Sequence, residues 1–429
     1  MDPVRDQILA LRCGNEDFDI RRPVRQRKNP GLRVIRTGYA PQLFAQYHSA
    51  KKRMLLEIKI KTDWQRFSRA ICVKGETAMF RKRMQTRILV AMLVATSFIS
   101  LPVASFAQKA SPVAPKKEQV EAVVREAYET YRSDTSGKNA DYIPYLAQVD
   151  SKLFGVAIVT TDKQSISLGD ITYSFSIQSI SKVYTLALAM EELGADKVFE
   201  RIGSEPTGRA FNSVQGVVEM PTHTANPLVN AGAIATTSLI SGKDANEKWN
   251  KILDFYSRAA GEKLVLIDDV YKSEAATNTG NKALSMLLAK YERIYADPFE
   301  SVDIYTKQCS VGVNVVQLAR MGATLANNGV NPITGEQVIK RESIPYILSA
   351  MTMAGLYDGS GGWAWHVGLP SKSGVGGGIV SVVPGKGAIA VFAPRLDEAG
   401  NSVKAQKVIT YVAQKLDLNL YSPRSVGLK

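Results

Sequence analysis

The chain has 429 residues, 45% of them hydrophobic, and a formal charge of +14, enough for two or three domains or one large domain with extensions. The charge is uneven: residues 1–107 hold 21 Lys and Arg against 8 Asp and Glu, leaving 33 against 32 for the remainder. The part long enough to bury a core is therefore near neutral, which excludes a nucleic-acid-binding footprint there.

Residues 1–78 are basic and irregular, with Arg21 to Lys28 and Lys51 to Arg53 and no sustained apolar period. Such a run is expected to be a solvated, disordered arm. Within 79–107, Arg81-Lys-Arg83 and Arg87 precede an apolar run from Ile88 to Ala104, closed by Ser105-Phe-Ala107. A basic start, an apolar centre and small residues at the end are the pattern of a secretory signal peptide cleaved after Ala107. Signal peptides begin a chain, so translation is expected to start at Met79 or Met84, with residues 1–78 a misassigned leader. The rival is an uncleaved anchor, for which the 17 residues 88–104 are a short span. Cleavage places the mature chain in the periplasm or outside the cell, with membrane contact only through the signal. An anchored chain stays in the inner membrane, and an unused segment leaves it cytoplasmic.

Residues 108–117, with Pro112 and Pro115, read as a linker, and 118–429 as the folded domain. Val120, Val123, Val124, Ala127 and Tyr131 fall at helical spacing. Leu153 to Thr160 and Ser165 to Leu168 are β-rich runs joined by Thr161-Asp-Lys-Gln164, a hairpin pattern. From Val183 to Met190 only Tyr184 and Thr185 are not apolar, and Gly194 supplies a stop. A helix apolar nearly all round belongs inside a domain. Residues 186–300 read mostly as helices and loops. Ile379 to Val383 and Ala388 to Phe392 flank Pro384-Gly-Lys-Gly387, a second hairpin. Ala405, Val408, Ile409, Val412 and Leu416 mark a C-terminal helix. The expected fold is α+β, an antiparallel sheet with strands from both ends of the domain, flanked by terminal helices, plus a helical subdomain.

At the mouth of the buried helix, Ser179 and Lys182 stand three apart, the spacing that puts a hydroxyl and an amine on one face. Burial penalises a charged Lys and makes its amine a usable base. Ser49 and Lys52 share that spacing, so the pattern needs support from elsewhere. Lys372-Ser-Gly374, followed by Val375-Gly-Gly-Gly378 and a strand, supplies it. A phosphate cradle is disfavoured, since no strand precedes the glycines and no helix follows. Beyond residue 107 only Cys309, His223 and His366 could ligate or attack as Cys or His. That set forms no disulfide and no zinc cluster, and no local motif marks Cys309 as a nucleophile. Neither a metal nor an organic cofactor is expected.

Penicillin-binding proteins and class A β-lactamases pair a Ser-x-x-Lys helix with a Lys-Thr-Gly strand. More narrowly, the chain resembles the serine-dependent glutaminases of bacteria, which have a β-lactamase-like fold, from about Val120 to about Leu416. The resemblance is carried by Ala140-Asp-Tyr-Ile-Pro-Tyr-Leu146, Phe175-Ser-Ile-Gln-Ser-Ile-Ser-Lys182, Glu205-Pro-Thr-Gly208 and Asn226-Pro-Leu-Val-Asn-Ala-Gly-Ala233. Lys307-Gln-Cys-Ser310, Gly355-Leu-Tyr-Asp-Gly-Ser-Gly361 and Lys372-Ser-Gly-Val-Gly-Gly-Gly378 follow in order. Thr207 replaces a usual Ser, and Thr306 a common aromatic.

The resemblance implies hydrolysis of L-glutamine to L-glutamate and ammonia by a homo-oligomer, dimer or tetramer, whose catalytic domain is 118–429. It implies Ser179 as nucleophile and Lys182 as base, with Asn230, Glu274, Asn281, Tyr305 and Tyr357 lining the glutamine pocket. The Val375 and Ser179 N–H groups would form the oxyanion hole. Tyr305 is expected to hydrogen-bond the Ser–Lys pair and pass a proton to ammonia, and Lys372 to help keep Lys182 neutral. Free glutamine suits the set: Glu274 answers its ammonium, and Asn230, Asn281 and a Tyr hydroxyl its carboxylate. A β-lactamase or penicillin-binding hydrolase of the same fold is the alternative enzyme, though it would need a Ser-x-Asn or Tyr-x-Asn element in place of Asn226 to Asn230. A non-catalytic amino-acid-binding module is the other alternative, though such a module usually loses the Ser or Lys retained here.

Overall fold

The computed structural model describes residues 117–422. The basic arm, the signal segment and all but the last residue of the linker lie outside the described residues. The strands are β1 (Gly155–Thr160), β2 (Ser165–Gly169), β3 (Phe175–Ser176), β4 (Val265–Leu266), β5 (Val311–Val313), β6 (Ser371–Ser373), β7 (Gly378–Val383) and β8 (Gly387–Phe392).

Five of them form an antiparallel sheet in the order β2-β1-β8-β7-β6. Both expected hairpins are there, with Ser165 opposite Val159 and Gly387 opposite Val383. Chain pattern sets strand position. β7 and β8 are apolar on both faces and lie fully buried, whereas β2 mixes buried and exposed positions, as an edge strand does.

Helices Lys117–Tyr131 and Val403–Lys415 cover one face, where Val124, Ala127, Val408 and Val412 meet Val156, Ile158, Ile389 and Val391. The opposite face, with Ala157, Val159, Val380, Val382, Ala388 and Ala390, packs against helix Val315–Ala326. Gly322 permits that approach: a Cβ there would lie 2.6 Å from both Ala388 Cβ and Val380 Cγ2.

The helical subdomain surrounds helix Ser181–Leu193, whose residues from Ser181 to Met190 are all buried, as the all-round apolar pattern requires. Helices Asn230–Ser238, Ala245–Ala260 and Pro298–Cys309 pack about it, with Asp268–Thr277 and Thr279–Lys290 beyond. Sequence pattern gives no sign of the second sheet, ordered β3-β5-β4, because two- and three-residue strands are too short to show a period. This small sheet anchors the segment before Ser179, with Ile177 N–H donating to Val311 O at 2.8 Å. Among the described residues, no helix is long and apolar enough to cross a membrane.

Candidate active site

Ser179 does not sit in the α-helix itself. It occupies a 3₁₀ turn, Gln178–Ile180, that leads into helix Ser181–Leu193, with Lys182 in the first helical turn. Gln178 has φ +49°, a left-handed conformation that typically costs a non-glycine residue about 1–3 kcal/mol. Its buried side chain holds that turn, since Nε2 donates to Ser176 Oγ at 3.3 Å and to Glu274 Oε2 at 3.1 Å. The Lys372-Ser-Gly374 element lies directly against it. A Cβ on Gly374 would fall 2.7 Å from Ile177 O, and one on Gly376 2.5 Å from Ser176 O. Glycine therefore lets this segment lie against residues 176–178, Val375 borders the same cavity as Ser179, and the Val375 N–H meets no acceptor among the described residues.

Lys182 is buried, and its Nζ donates to Asn230 Oδ1 at 2.7 Å and to Leu228 O at 3.5 Å. Burial pushes its pKa down to about 8, against the opposing pull of Cys309 and Glu274. A neutral amine has two N–H groups and one lone pair, so these two acceptors match it and leave the lone pair free. The Tyr357 ring centre lies 5.8 Å from Lys182 Nζ.

Lys372 Nζ donates to Gly355 O and Ser373 O, both at 2.8 Å, and lies 3.9 Å from the Tyr357 ring centre. Burial and then the like charge of Lys182 hold Lys372 well below its ordinary pKa. The expected repulsion thus acts on Lys372, while burial itself accounts for the lowered pKa of Lys182. Tyr305 also differs from expectation. Its hydroxyl donates to Asn230 Oδ1 at 3.1 Å and is not hydrogen-bonded to the Ser–Lys pair. The Tyr357 hydroxyl donates to Ser373 O at 3.5 Å. Cys309 is buried beside Ser181 Oγ, 3.9 Å away, and burial pushes its thiol up to about 12. At neutral pH it offers no thiolate.

Ser179, Asn230, Glu274, Asn281, Tyr305 and Val375 all border one cavity of about 190 Å³. That is below the roughly 300–1,000 Å³ of sites for drug-sized ligands, and suits a small substrate. Lys182 does not line it, and neither does Tyr357, which was expected to. Glu274 is 8% exposed, and burial raises its carboxyl to about 7 despite the Gln178 hydrogen bond and the charge of Lys182. The two asparagines are oriented by their partners. Asn230 Oδ1 accepts from Lys182 and Tyr305, so Nδ2 faces Asn281 and donates to its Oδ1 at 2.9 Å. That bond leaves the Asn281 amino group for a ligand.

Most other lining residues escaped sequence reasoning, among them Tyr142, Gln178 and Phe211. Tyr142 and Gln178 lie inside quoted motif blocks, Gln178 next to Ser179 itself. Phe211, whose ring centre is 4.8 Å from that of Tyr357, had no such signal. Among the described residues, no group of three or more His, Cys, Asp and Glu side chains could hold a metal ion.

Residues 137–421 match the profile of the Glutaminase family. The chain is 50% identical over 307 residues to the Glutaminase of Colwellia psychrerythraea, an alignment covering 72% of this chain and 99% of that one. It is 54% identical over 292 residues to the Glutaminase of Brucella canis, covering 68% and 92%. A solved structure described as probable glutaminase ybaS superposes with a TM-score of 0.71 at 48% identity, covering 72% of this chain and all of that one.

Proposed function

This chain belongs to the glutaminase family, and from that premise we propose that its hydrolysis of L-glutamine to L-glutamate and ammonia runs through a γ-glutamyl ester on Ser179. The carrying observation is the cavity, where one small space is bordered by a serine hydroxyl, a buried carboxylate and two asparagine amides. Glutamine presents a reactive amide, an ammonium and a carboxylate, so each of its groups has a counterpart. The fold is of the β-lactamase-like class shared with glutaminases of known structure.

Lys182, with its N–H groups directed at Asn230 and Leu228, accepts the Ser179 proton on its lone pair as Oγ attacks the side-chain amide carbon. The carbonyl electron pair moves onto oxygen, which the Ser179 and Val375 N–H groups receive. Collapse of this intermediate restores the carbonyl and breaks the C–N bond. The nitrogen takes a proton that returns from Lys182 by way of the Tyr357 hydroxyl and leaves as ammonia. Water then attacks the ester, gives its proton to Lys182, and Ser179 departs with that proton to yield glutamate. The Tyr357 ring, centred 5.8 Å from Lys182 Nζ, supports this route. Tyr305, bonded to Asn230, instead steadies the amide that holds Lys182. While Lys182 carries the proton, its like charge keeps Lys372 neutral.

Purified protein should release glutamate and ammonia from L-glutamine in equal amounts and leave nitrocefin untouched. Nitrocefin turnover without ammonia release would favour the β-lactamase alternative. We also infer that 79–107 is a signal peptide removed after Ala107, leaving a periplasmic or secreted homo-oligomer, a dimer or tetramer. The residue pattern supports export, and the family resemblance supports assembly. A mature protein starting at Gln108 and sedimenting as a dimer or tetramer is expected. Retention of Arg81 to Arg87 would overturn the first part, and a monomer the second.

A further inference from the structure

Between β8 and helix Val403–Lys415, the loop 394–402 carries a side chain that joins the turn bearing Tyr357 to the strand bearing Lys372. Asn401 is 1% exposed. Its Oδ1 accepts from Ser373 Oγ at 2.6 Å, and its Nδ2 donates to Leu356 O at 3.3 Å. Its own N–H donates to Asp397 Oδ1 at 2.9 Å, so the amide does not swing freely. Both partners matter. The Ser373 carbonyl accepts from Lys372 Nζ and from the Tyr357 hydroxyl, and Leu356 directly precedes Tyr357.

Tyr357 has φ +56°, a conformation that needs outside support in a bulky residue. The turn is also pressed onto the strand, because a Cβ on Gly355 would sit 1.7 Å from Ser371 O. The same loop backs the oxyanion side, where a Cβ on Gly400 would lie 3.5 Å from Val375 Cγ1 and from Phe211.

We infer that Asn401 is a positioning residue for the hydrolysis, clamping the left-handed turn at Tyr357 to the Lys372–Ser373 strand and so holding the Tyr357 ring, centred 5.8 Å from Lys182 Nζ, beside the proposed base. Asn401 does not border the cavity, so its loss acts on the reaction step and not on glutamine capture. This rests on Ser179 being the nucleophile.

The test compares Asn401→Ala, Ser373→Ala and the double variant with the parent, and includes Ser179→Ala. Active enzyme is counted as folded protein and melting temperatures are recorded. Asn401→Ala should lower kcat about tenfold to a hundredfold, the scale of a small misplacement near reacting groups. KM should stay within about threefold, since ground-state contacts are untouched. The double variant should be no slower than the slower single one, because both remove the same bond. The acid limb of the kcat profile should move to higher pH. A loosened Tyr357 admits water to Lys182, whose other titratable neighbours are Glu274, Tyr305, Cys309 and Lys372, and hydration returns its pKa toward the ordinary value.

If Asn401→Ala does not fold, Ser373→Ala alone decides, since it deletes one hydroxyl and the same bond. Unchanged kcat per folded enzyme, or a lower melting temperature with the acid limb in place, overturns the inference. An active Ser179→Ala variant overturns the nucleophile assignment instead, which separates the two failures.

Discussion

Lys182 Nζ lies 2.7 Å from Asn230 Oδ1, and the same amide donates to Asn281 at the cavity wall. The proposed base is therefore held by a residue that also faces the substrate. Binding and proton transfer share one hydrogen-bond network, and changes at its far end reach the reaction.

The first consequence is a pH dependence with a definite sign. Lys182, lowered to about 8, accepts a proton only when neutral, so catalysis is lost as pH falls through that value. Glu274, raised to about 7, pairs an ammonium only when ionised, so capture is lost as pH falls further. Log kcat/KM, which reports the free enzyme, should rise with a slope of about two below these values and about one between them. A flat profile from pH 6 to 9 would contradict both assignments.

Glu274→Gln isolates the binding half. Removing the carboxylate from a desolvated pair should weaken glutamine by roughly 2–5 kcal/mol, read as a rise in KM. The ionisation near 7 should vanish from the profile, while that of Lys182 remains and moves to lower pH, because the Glu274 charge raises it. An unchanged KM would exclude Glu274 as the ammonium partner.

Gln178→Met tests the turn before the nucleophile. The Gln178 hydrogen bond favours ionised Glu274, so its loss should raise the Glu274 pKa and move that limb to higher pH. Rates above the shifted limb should also fall, because the left-handed turn loses its brace. A limb that stays in place or moves to lower pH would count against this coupling.

Much of this was legible in the chain. Two hairpins, the terminal helices and a buried helix follow from pattern alone, because each is long enough to show its period. Ser179, Asn230 and Val375 lie in motif blocks, Glu274, Asn281 and Tyr305 came from the family resemblance alone, and these six border one cavity that Lys182 and Tyr357 do not line. The residue between Ile177 and Ser179 gave no sign of a left-handed conformation, since Gln is not a residue that adopts it readily. Where the turn bearing Tyr357 lies depends on how Gly355 packs on Ser371, a contact set by tertiary structure. Asn401, more than twenty residues past the Lys-Ser-Gly element, reaches Ser373 only because β7 and β8 fold back.

Packing at the sheet supplies a prediction independent of chemistry. Gly322→Ala forces a methyl group between Ala388 and Val380 and should destabilise the fold by about 1–3 kcal/mol. The denaturation midpoint should fall, with kcat per folded molecule intact. Unchanged stability would mean that helix Val315–Ala326 can retreat from the sheet.

Intact-mass analysis of enzyme quenched during glutamine turnover tests the central claim most directly, with Ser179→Ala run beside it. The expected result is one added γ-glutamyl group, mapped to the peptide containing Ser179, and less than about a hundredth of parental ammonia release in the variant. An unmodified Ser179 in enzyme quenched at saturating glutamine, together with a Ser179→Ala variant that still releases ammonia at a comparable rate, would contradict it.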